Sequence, residues 1–173
     1  MMNNRPEPPP PGEAPFATAV VGLFQAVHPL DRIPRAGYLL RGVSEPESVA
    51  AHSYFLGLLA LVYLEHYPEG LDRARVLELT LVHDCAEAQT MDLPMPTADA
   101  FFAEAKRHME QAVADQLFAG AAPRLAQRHA EFAAGETPEA RLVRALDKAQ
   151  MMLRVLNYER EHRGDLAEFW ENP

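Results

Sequence analysis

The sequence predicts an all-α protein, a compact bundle of helices, and three observations support this fold class. Apolar residues recur at every third or fourth position in several long segments, as they do on one face of a helix. Helix-capping residues precede these segments, and proline or glycine follows them. No segment shows the strict apolar–polar alternation that indicates a half-buried strand. In such a bundle, buried side chains from different helices can meet at one point.

Two regions are expected along the chain: a disordered proline-rich arm over residues 1–15 and one domain over residues 16–173. Prolines crowd the segment after Arg5, and proline removes backbone donors and prevents helix formation. The chain has 173 residues, of which 48% are hydrophobic, and this size suits one domain with a sizeable core. The N-terminus shows no secretory signal, and we expect a cytoplasmic protein.

Start and stop signals place the first three helices. The first covers residues 16–27 and ends before Pro29. The second should begin at Ser44, because Ser44 and Glu47 have the spacing of a capping box, and run to about residue 67. The third should cover residues 72–89. The apolar side of the second helix is expected to be Val49, Phe55, Leu56, Leu59 and Tyr63, and that of the third Val76, Leu77, Leu79, Leu81 and Val82.

The C-terminal half is predicted to contain three more helices. Thr97 should cap a helix that runs to about residue 118, and a shorter helix should cover residues 124–133. The last helix should begin after Thr137, since Pro138 fits the first helical turn, and run to about residue 162. Loops are expected over residues 30–42 and 92–96, where proline and glycine interrupt the helical pattern.

His52 is a histidine at an apolar position of the second predicted helix. It follows Val49 by three residues and precedes Leu56 by four, so its side chain should face the interior. An isolated buried histidine is usually a hydrogen-bonded core residue. For His52 taken alone, that interpretation stays open.

Two carboxylates are also predicted at inward positions. Asp84 directly follows His83 and comes three residues after Leu81, while Asp147 lies in line with Val143 on the last helix. A buried carboxylate is unfavourable unless it is paired or binds a metal. These acids therefore need a cation close to them.

Two imidazoles and two carboxylates from three helices suit one divalent cation and leave positions for water and a substrate oxygen. The four candidate ligands are His52, His83, Asp84 and Asp147. Such mixed nitrogen and oxygen ligands accept Mn, Co, Fe, Ni, Zn or Mg, so the identity of the metal stays open. The alternative is a salt-bridged core network, which would need a buried cation such as Lys148 or Arg144.

Glu87 and Cys85 lie beside these candidate ligands. Glu87 is one helical turn beyond His83, so its carboxylate should lie over the same pocket and move a proton there, unless it is a solvated surface charge. Cys85 is the only cysteine, which excludes an intramolecular disulfide and a cysteine-based zinc site. A cysteine packed beside a helical core is usually inert, so we do not expect a nucleophile.

The charge of the chain restricts its partners. The formal net charge is −9 and the pI is about 5.2. An acidic surface does not attract a nucleic acid polymer or an anionic membrane, so neither partner is expected. An anionic substrate would have to meet a local cluster of Arg, Lys or metal.

Five motifs make the sequence resemble the HD-domain phosphohydrolase superfamily, and in particular its 5′-deoxynucleotidase branch. The motifs are Arg32-Ile33-Pro34-Arg35-Ala36-Gly37-Tyr38, Pro46-Glu47-Ser48-Val49-Ala50-Ala51-His52, Leu81-Val82-His83-Asp84-Cys85-Ala86-Glu87, Asp92-Leu93-Pro94 and Leu146-Asp147-Lys148-Ala149. The resemblance covers roughly residues 30–170 and implies the HD-domain helical fold. It implies one divalent metal held by the four candidate ligands, and a homodimer.

The resemblance also implies roles for residues around the metal. Arg35 would bind the phosphate, Glu87 would act as acid or base, and Asp92 would position the water or the sugar. Tyr38 stands where relatives often carry tryptophan, and we expect it at the substrate site. Met91 stands where the family commonly has glycine, so a different turn is expected there.

The function implied is removal of the 5′-phosphate from deoxyribonucleoside monophosphates by metal-activated water. One alternative is an HD-type phosphohydrolase of another specificity, for a cyclic nucleotide, a nucleoside triphosphate or another phosphate ester. Another is a binding or scaffold protein that keeps the metal as structure. Unliganded acids around an open metal position, such as Glu87 and Asp92, favour an enzyme over a scaffold.

Overall fold

A computed structural model describes residues 16–94 and 103–171, and these residues form an all-helical bundle, as the sequence predicts. Its helices are α1 (Phe16–Val27), α2 (Ala36–Leu39), α3 (Val49–His66), α4 (Arg73–Val82), α5 (Glu87–Thr90), α6 (Ala103–Phe118), α7 (Pro123–Ala134), α8 (Pro138–Arg160) and α9 (Ala167–Glu171), with a 3₁₀ helix over His28–Asp31. Within the described ranges no β-strand occurs, although Pro34 and Ser48 form an isolated β-bridge. The predicted arm and the Thr97 cap lie outside the described residues.

The main core lies between α3, α4 and α8. It is built from the buried residues Leu56, Ala60, Leu64, Val76, Leu79, Ala140, Val143 and Leu146. A second cluster, made of Tyr38, Val43, Val155, Tyr158 and Leu166, joins α2 and the segment before α9 to the C-terminal half of α8. Each helix of the main core is linked to a candidate ligand: α3 carries His52, α8 carries Asp147, and His83 and Asp84 directly follow α4.

The start of α3 differs from the predicted capping box. The helix begins at Val49, and the Ser48 side chain caps it by accepting a hydrogen bond from the backbone N–H of Ala51. Pro46 disfavours helical backbone in the residue before it. In addition, Val49 donates its backbone N–H to the carbonyl of Ile33, which holds this segment extended against the residues before α2. The prediction of a helix start at Ser44 is therefore wrong.

The third predicted helix is divided in two. α4 ends at Val82, residues 83–86 form turns, and α5 begins at Glu87. Leu81, which we placed on the apolar side, is 59% exposed. Asp84 therefore lies in the turn after α4, and its place in the site does not follow from the apolar position assigned to Leu81.

α3 is the one helix of the described residues that is long and apolar enough to cross a membrane by length and composition alone. One side of α3 is buried in the core and includes His52. The opposite side carries exposed apolar residues, among them Phe55, which was predicted to be in the core. α3 thus packs in the bundle, while residues 16–94 and 103–171 leave one of its apolar faces exposed.

Candidate metal centre

His52 is fully buried on α3, one turn after the cap. Its Nδ1 atom lies 2.7 Å from the Oε1 atom of Gln150 on α8. A carbonyl oxygen only accepts, so Nδ1 must carry the proton and donate it. The other ring nitrogen, Nε2, is then left with its lone pair.

His83, directly after α4, has the same arrangement. Its Nδ1 atom lies 3.0 Å from the backbone carbonyl oxygen of Thr80, so Nδ1 donates here as well. The ring packs edge-on against Phe132, with centroids 5.1 Å apart. Backbone and core packing therefore fix both the tautomer and the direction of the His83 ring.

The structure brings the four predicted ligands together. His52 Nε2 lies 3.3 Å from His83 Nε2 and 3.1 Å from Asp147 Oδ1, and His83 Nε2 lies 3.1 Å from Asp84 Oδ2. The separation between His52 Nε2 and Asp84 Oδ2 is 3.8 Å. Neighbouring ligands of an octahedral metal at about 2.1 Å are about 3.0 Å apart, so these donors have the spacing of a coordination shell.

Two facing lone pairs are the feature that fits a cation best. Both Nε2 atoms are acceptors when the rings are neutral, and acceptors 3.3 Å apart repel each other unless a positive charge lies between them. Two neutral histidines that both donate from Nδ1 cannot hydrogen-bond to each other through this contact. His52, His83 and Asp84 form a cluster that could hold a metal ion, and Asp147 joins it through its contact with His52. Such imidazole and carboxylate donors suit one divalent metal.

The structure agrees only in part with the alternative of a salt-bridged core. The cation that pairs with a carboxylate of the site is Arg35, which was not among the candidates for that network. Arg35 Nη1 donates to Asp84 Oδ2 at 3.2 Å. Arg144, in contrast, donates to the backbone carbonyl of Ala133. Arg35 compensates one carboxylate of the site, but its contact leaves the facing histidine nitrogens unexplained.

The electrostatics of the site favour a positive charge at its centre. Burial lowers the pKa of His83, but Asp84 and Asp147 act more strongly together and hold it above its ordinary value. Burial raises the pKa of Asp84, yet His83, Arg35 and His52 hold it far below its usual range. Burial raises the pKa of Asp147, but its contact with the His52 ring at 3.1 Å and the charge of His83 outweigh burial and lower it.

Arg35 and Asp92 lie next to each other at the site. Arg35 Nη1 is 3.7 Å from Asp92 Oδ1, and Asp92 Oδ2 accepts a hydrogen bond from the backbone N–H of Ala36 at the start of α2. Burial lowers the pKa of Arg35, but Asp84 and Asp92 raise it above the ordinary value, so the guanidinium stays charged. The structure thus places both predicted residues beside the four candidate ligands.

Glu87 is a buried acid at the first position of α5, and only 4% of its surface is exposed. Its Oε2 atom has no hydrogen-bond partner among the described residues. Burial, together with the charges of Asp84 and Asp92, raises the pKa of Glu87 to about 10. The interpretation as a solvated surface charge is therefore wrong.

Tyr38 is buried in the second core cluster, apart from the ligands. Its hydroxyl donates to the backbone carbonyl of Met151, and its ring packs against Tyr158 and Phe169. These contacts show a packing role, and the role in substrate binding stays a prediction. Cys85, as expected, is a packing residue: its thiol donates to Leu81, and burial raises its pKa to about 12.

Sequence reasoning missed Glu47 and Gln150, two buried polar residues behind His52. Gln150 follows Asp147 by three residues on the same side of α8, and this spacing could have identified it. Glu47 was considered only as a capping residue. Its partners come from distant parts of the chain, so no local pattern reveals its position.

Comparisons with known proteins identify relatives of this chain. A family model described as HD domain matches residues 27–172. The human protein named 5′-deoxynucleotidase HDDC2 is 30% identical over 162 residues, which are 90% of this chain and 77% of that protein. The structure of a Pyrococcus horikoshii protein has a TM-score of 0.76 and 36% identity, covering 87% of this chain and 85% of that one. A structure from Magnetospirillum magnetotacticum, titled a predicted metal-dependent phosphohydrolase, has a TM-score of 0.64 and 27% identity, covering 80% and 71%.

Proposed function

This chain belongs to the HD domain family, and on that basis we propose that it is a metal-dependent phosphohydrolase that removes the 5′-phosphate from deoxyribonucleoside monophosphates. One observation carries the proposal: the Nε2 atoms of His52 and His83 face each other at 3.3 Å, between two carboxylates and beside the half-buried Arg35. The substrate class is supported by the relatives named 5′-deoxynucleotidases.

The metal would be held by His52, His83, Asp84 and Asp147. When bound, a divalent cation would polarise a phosphoryl oxygen and acidify the attacking water. Which of Mn, Co, Fe, Ni, Zn or Mg binds is a matter for metal analysis, because nitrogen and oxygen ligands accept all of them.

Arg35 is proposed to bind the phosphate. A guanidinium has five donors in one plane, so it can keep its contact with Asp84 and still donate to phosphate oxygens. Asp92 holds both Arg35 and the start of α2 and so keeps this donor in place. In a protein with a net charge of −9, this local charge is what makes binding of a dianion possible.

Glu87 is proposed to move a proton during hydrolysis. The reaction transfers the phosphoryl group to water, breaks the bond to the 5′ oxygen and needs a proton on that oxygen. Glu87 lies close to Asp84 and its Oε2 atom is free of a protein partner among the described residues, so it can face water or the leaving oxygen. It would either take the proton from the water or give it to the leaving oxygen.

A panel of nucleotides tests the proposed activity. Deoxyribonucleoside monophosphates, ribonucleoside monophosphates, cyclic nucleotides and triphosphates are each incubated with the protein and Mn²⁺ or Co²⁺, and the nucleoside and nucleotide products are quantified by chromatography. The proposal predicts the highest kcat/KM for the deoxyribonucleoside monophosphates. Preference for a cyclic nucleotide or a triphosphate would still be phosphohydrolase activity but would refute this substrate. No hydrolysis of any nucleotide would favour a binding protein.

We also propose a homodimer that covers the apolar face of α3. Tyr54, Leu58 and Val62 are spaced four residues apart on this helix and are 65%, 47% and 53% exposed. Exposed apolar stripes of this kind mark contact surfaces. Light scattering should give the mass of a dimer, and Leu58→Glu should give a monomer that stays helical. A monomeric wild-type protein would refute the dimer.

A further inference from the structure

Glu47 is a buried acid, immediately before the cap of α3, that is surrounded by donors. Its Oε2 atom forms an ion pair with Arg154 Nε at 2.7 Å. Its backbone N–H donates to the hydroxyl oxygen of Tyr158 at 2.7 Å. A carboxylate paired with a guanidinium only accepts hydrogen bonds. Any neighbour that contacts the Glu47 side chain must therefore turn a donor towards it.

Gln150 is the neighbour that does so. Its Nε2 atom donates to both oxygens of Glu47, at 3.3 and 3.2 Å. Because the amide nitrogen is used in this way, the amide oxygen must point in the other direction, to His52 Nδ1 at 2.7 Å. The orientation of the amide follows from its partners: turned over, it would direct its oxygen at the carboxylate.

We propose that Glu47 and Gln150 are positioning residues that hold His52 in the tautomer with a proton on Nδ1, and thereby set the metal affinity of the site. The inference rests on the metal centre proposed above. Glu47 acts through Gln150, since its nearest oxygen is 3.9 Å from His52 Nδ1. Partners that orient a ligating histidine typically contribute about 10- to 100-fold to metal affinity.

A packing role and a tautomer role make different predictions. If Gln150 only filled space, a side chain of similar size would replace it without effect. If it fixes the tautomer, an acceptor must face Nδ1. Gln150→Leu removes the acceptor, and Glu47→Gln removes the group that orients the amide while leaving the Gln150 side chain in place.

The tautomer is measured by nitrogen NMR on the metal-free protein with labelled histidine, at a pH where the rings are neutral. In the wild-type protein, His52 should have a protonated Nδ1 and an unprotonated Nε2. Both variants should lose this preference. A wild-type His52 with an unprotonated Nδ1 would overturn the proposal whatever the variants do.

Metal affinity is measured by calorimetric titration with Co²⁺ alone. Gln150→Leu and Glu47→Gln should each bind Co²⁺ about 10- to 100-fold more weakly than the wild type. The exchanged pair Glu47→Gln with Gln150→Glu should recover most of the affinity, because a carboxylate at position 150 again accepts from Nδ1. This recovery would also show that the single variants do not act by unfolding the protein.

Gln111→Leu is the matched control. Gln111 accepts from His129 Nδ1 at 3.0 Å and donates to Asp115, so the change removes the same kind of contact from a histidine outside the four ligands. Its Co²⁺ affinity should equal that of the wild type. Wild-type affinity in Gln150→Leu would overturn the positioning role, whereas a wild-type protein that binds no divalent ion would refute the metal centre itself.

Discussion

At the scale of single residues, Glu87 combines deep burial with an oxygen that has no protein partner among the described residues. Glu87→Gln should keep the metal and lower kcat about 10²-fold or more, because an amide fills the same space but cannot exchange a proton. Metal analysis and phosphate release measure the two effects separately. Glu168→Gln, at an exposed acid that pairs with Arg41, is the control. Wild-type kcat in Glu87→Gln would remove the proton-transfer role.

Met91, in the loop before Asp92, has a backbone conformation that is unusual for a residue other than glycine. Its φ of 67° and ψ of 161° lie in a region that is favourable only for glycine. Met91 thus adopts a backbone that glycine would adopt without strain, although the replacement of glycine predicted a different turn. Such strain lowers the stability of the folded protein by about 1–3 kcal/mol. Glycine instead lowers it by about 0.5–1 kcal/mol, because the unfolded chain is more flexible at glycine.

We expect Met91→Gly to stabilise the protein by roughly 1 kcal/mol, the difference between these two effects. Thermal unfolding should then show a Tm that is about 2–4 °C higher. Because Met91 is exposed, loss of its packing should cost little. A lower Tm in this variant would show that the backbone here is not strained.

At the scale of elements, Gly164 fixes how α8 connects to α9. Its φ is 73°, and a Cβ atom there would lie 2.7 Å from the backbone oxygen of Arg41 and 2.8 Å from Val43 Cγ2. Gly164→Ala should destabilise the protein by about 2–4 kcal/mol, because strain from positive φ and steric overlap add together.

Gly70→Ala is the matched control for this prediction. Gly70 has a similar φ of 74°, but a Cβ atom would meet nothing described within 4 Å. Gly70→Ala should therefore lower the free energy of unfolding only by the positive-φ strain, about 1–2 kcal/mol. Urea unfolding of both variants gives the comparison, and equal losses would mean that the contact of Gly164 with the Arg41 segment is unimportant.

How much of each element the sequence predicts depends on whether its signals are local. The start of α8 is predicted correctly, because Thr137 caps it through its own side chain. The start of α3 is not, because a distant segment holds residues 47–49 extended. α9 was missed, since the described structure holds it by packing against Tyr38 rather than by a cap.

The candidate ligands, too, are predicted correctly where the sequence signal is local. His52 and Asp147 are predicted by helical spacing, and the structure places them as expected. Asp84 is predicted for a partly wrong reason. It was placed on the same helix side as Leu81, but Leu81 is exposed and Asp84 lies in the turn after α4. Glu47 and Gln150 could not be assigned, since their function depends on a contact between α8 and the segment before α3.

At the scale of the whole molecule, charge should decide between phosphate chain lengths. One metal and Arg35 can neutralise a monophosphate dianion, but a triphosphate would keep uncompensated charge in a protein with a net charge of −9. We expect kcat/KM to be higher for a deoxyribonucleoside monophosphate than for the matching triphosphate. Added salt should narrow this difference, because it screens the field of the protein. A better rate with triphosphates would contradict this account of the site.

Metal dependence is the central claim, and metal removal tests it most directly. A chelator should abolish phosphate release from a deoxyribonucleoside monophosphate, and one divalent ion per chain should restore it. Asp147→Ala should bind less than this amount and stay inactive while its circular dichroism stays helical, because it loses one ligand of four. Full activity after complete metal removal, or a fully loaded Asp147→Ala, would contradict the metal centre described here.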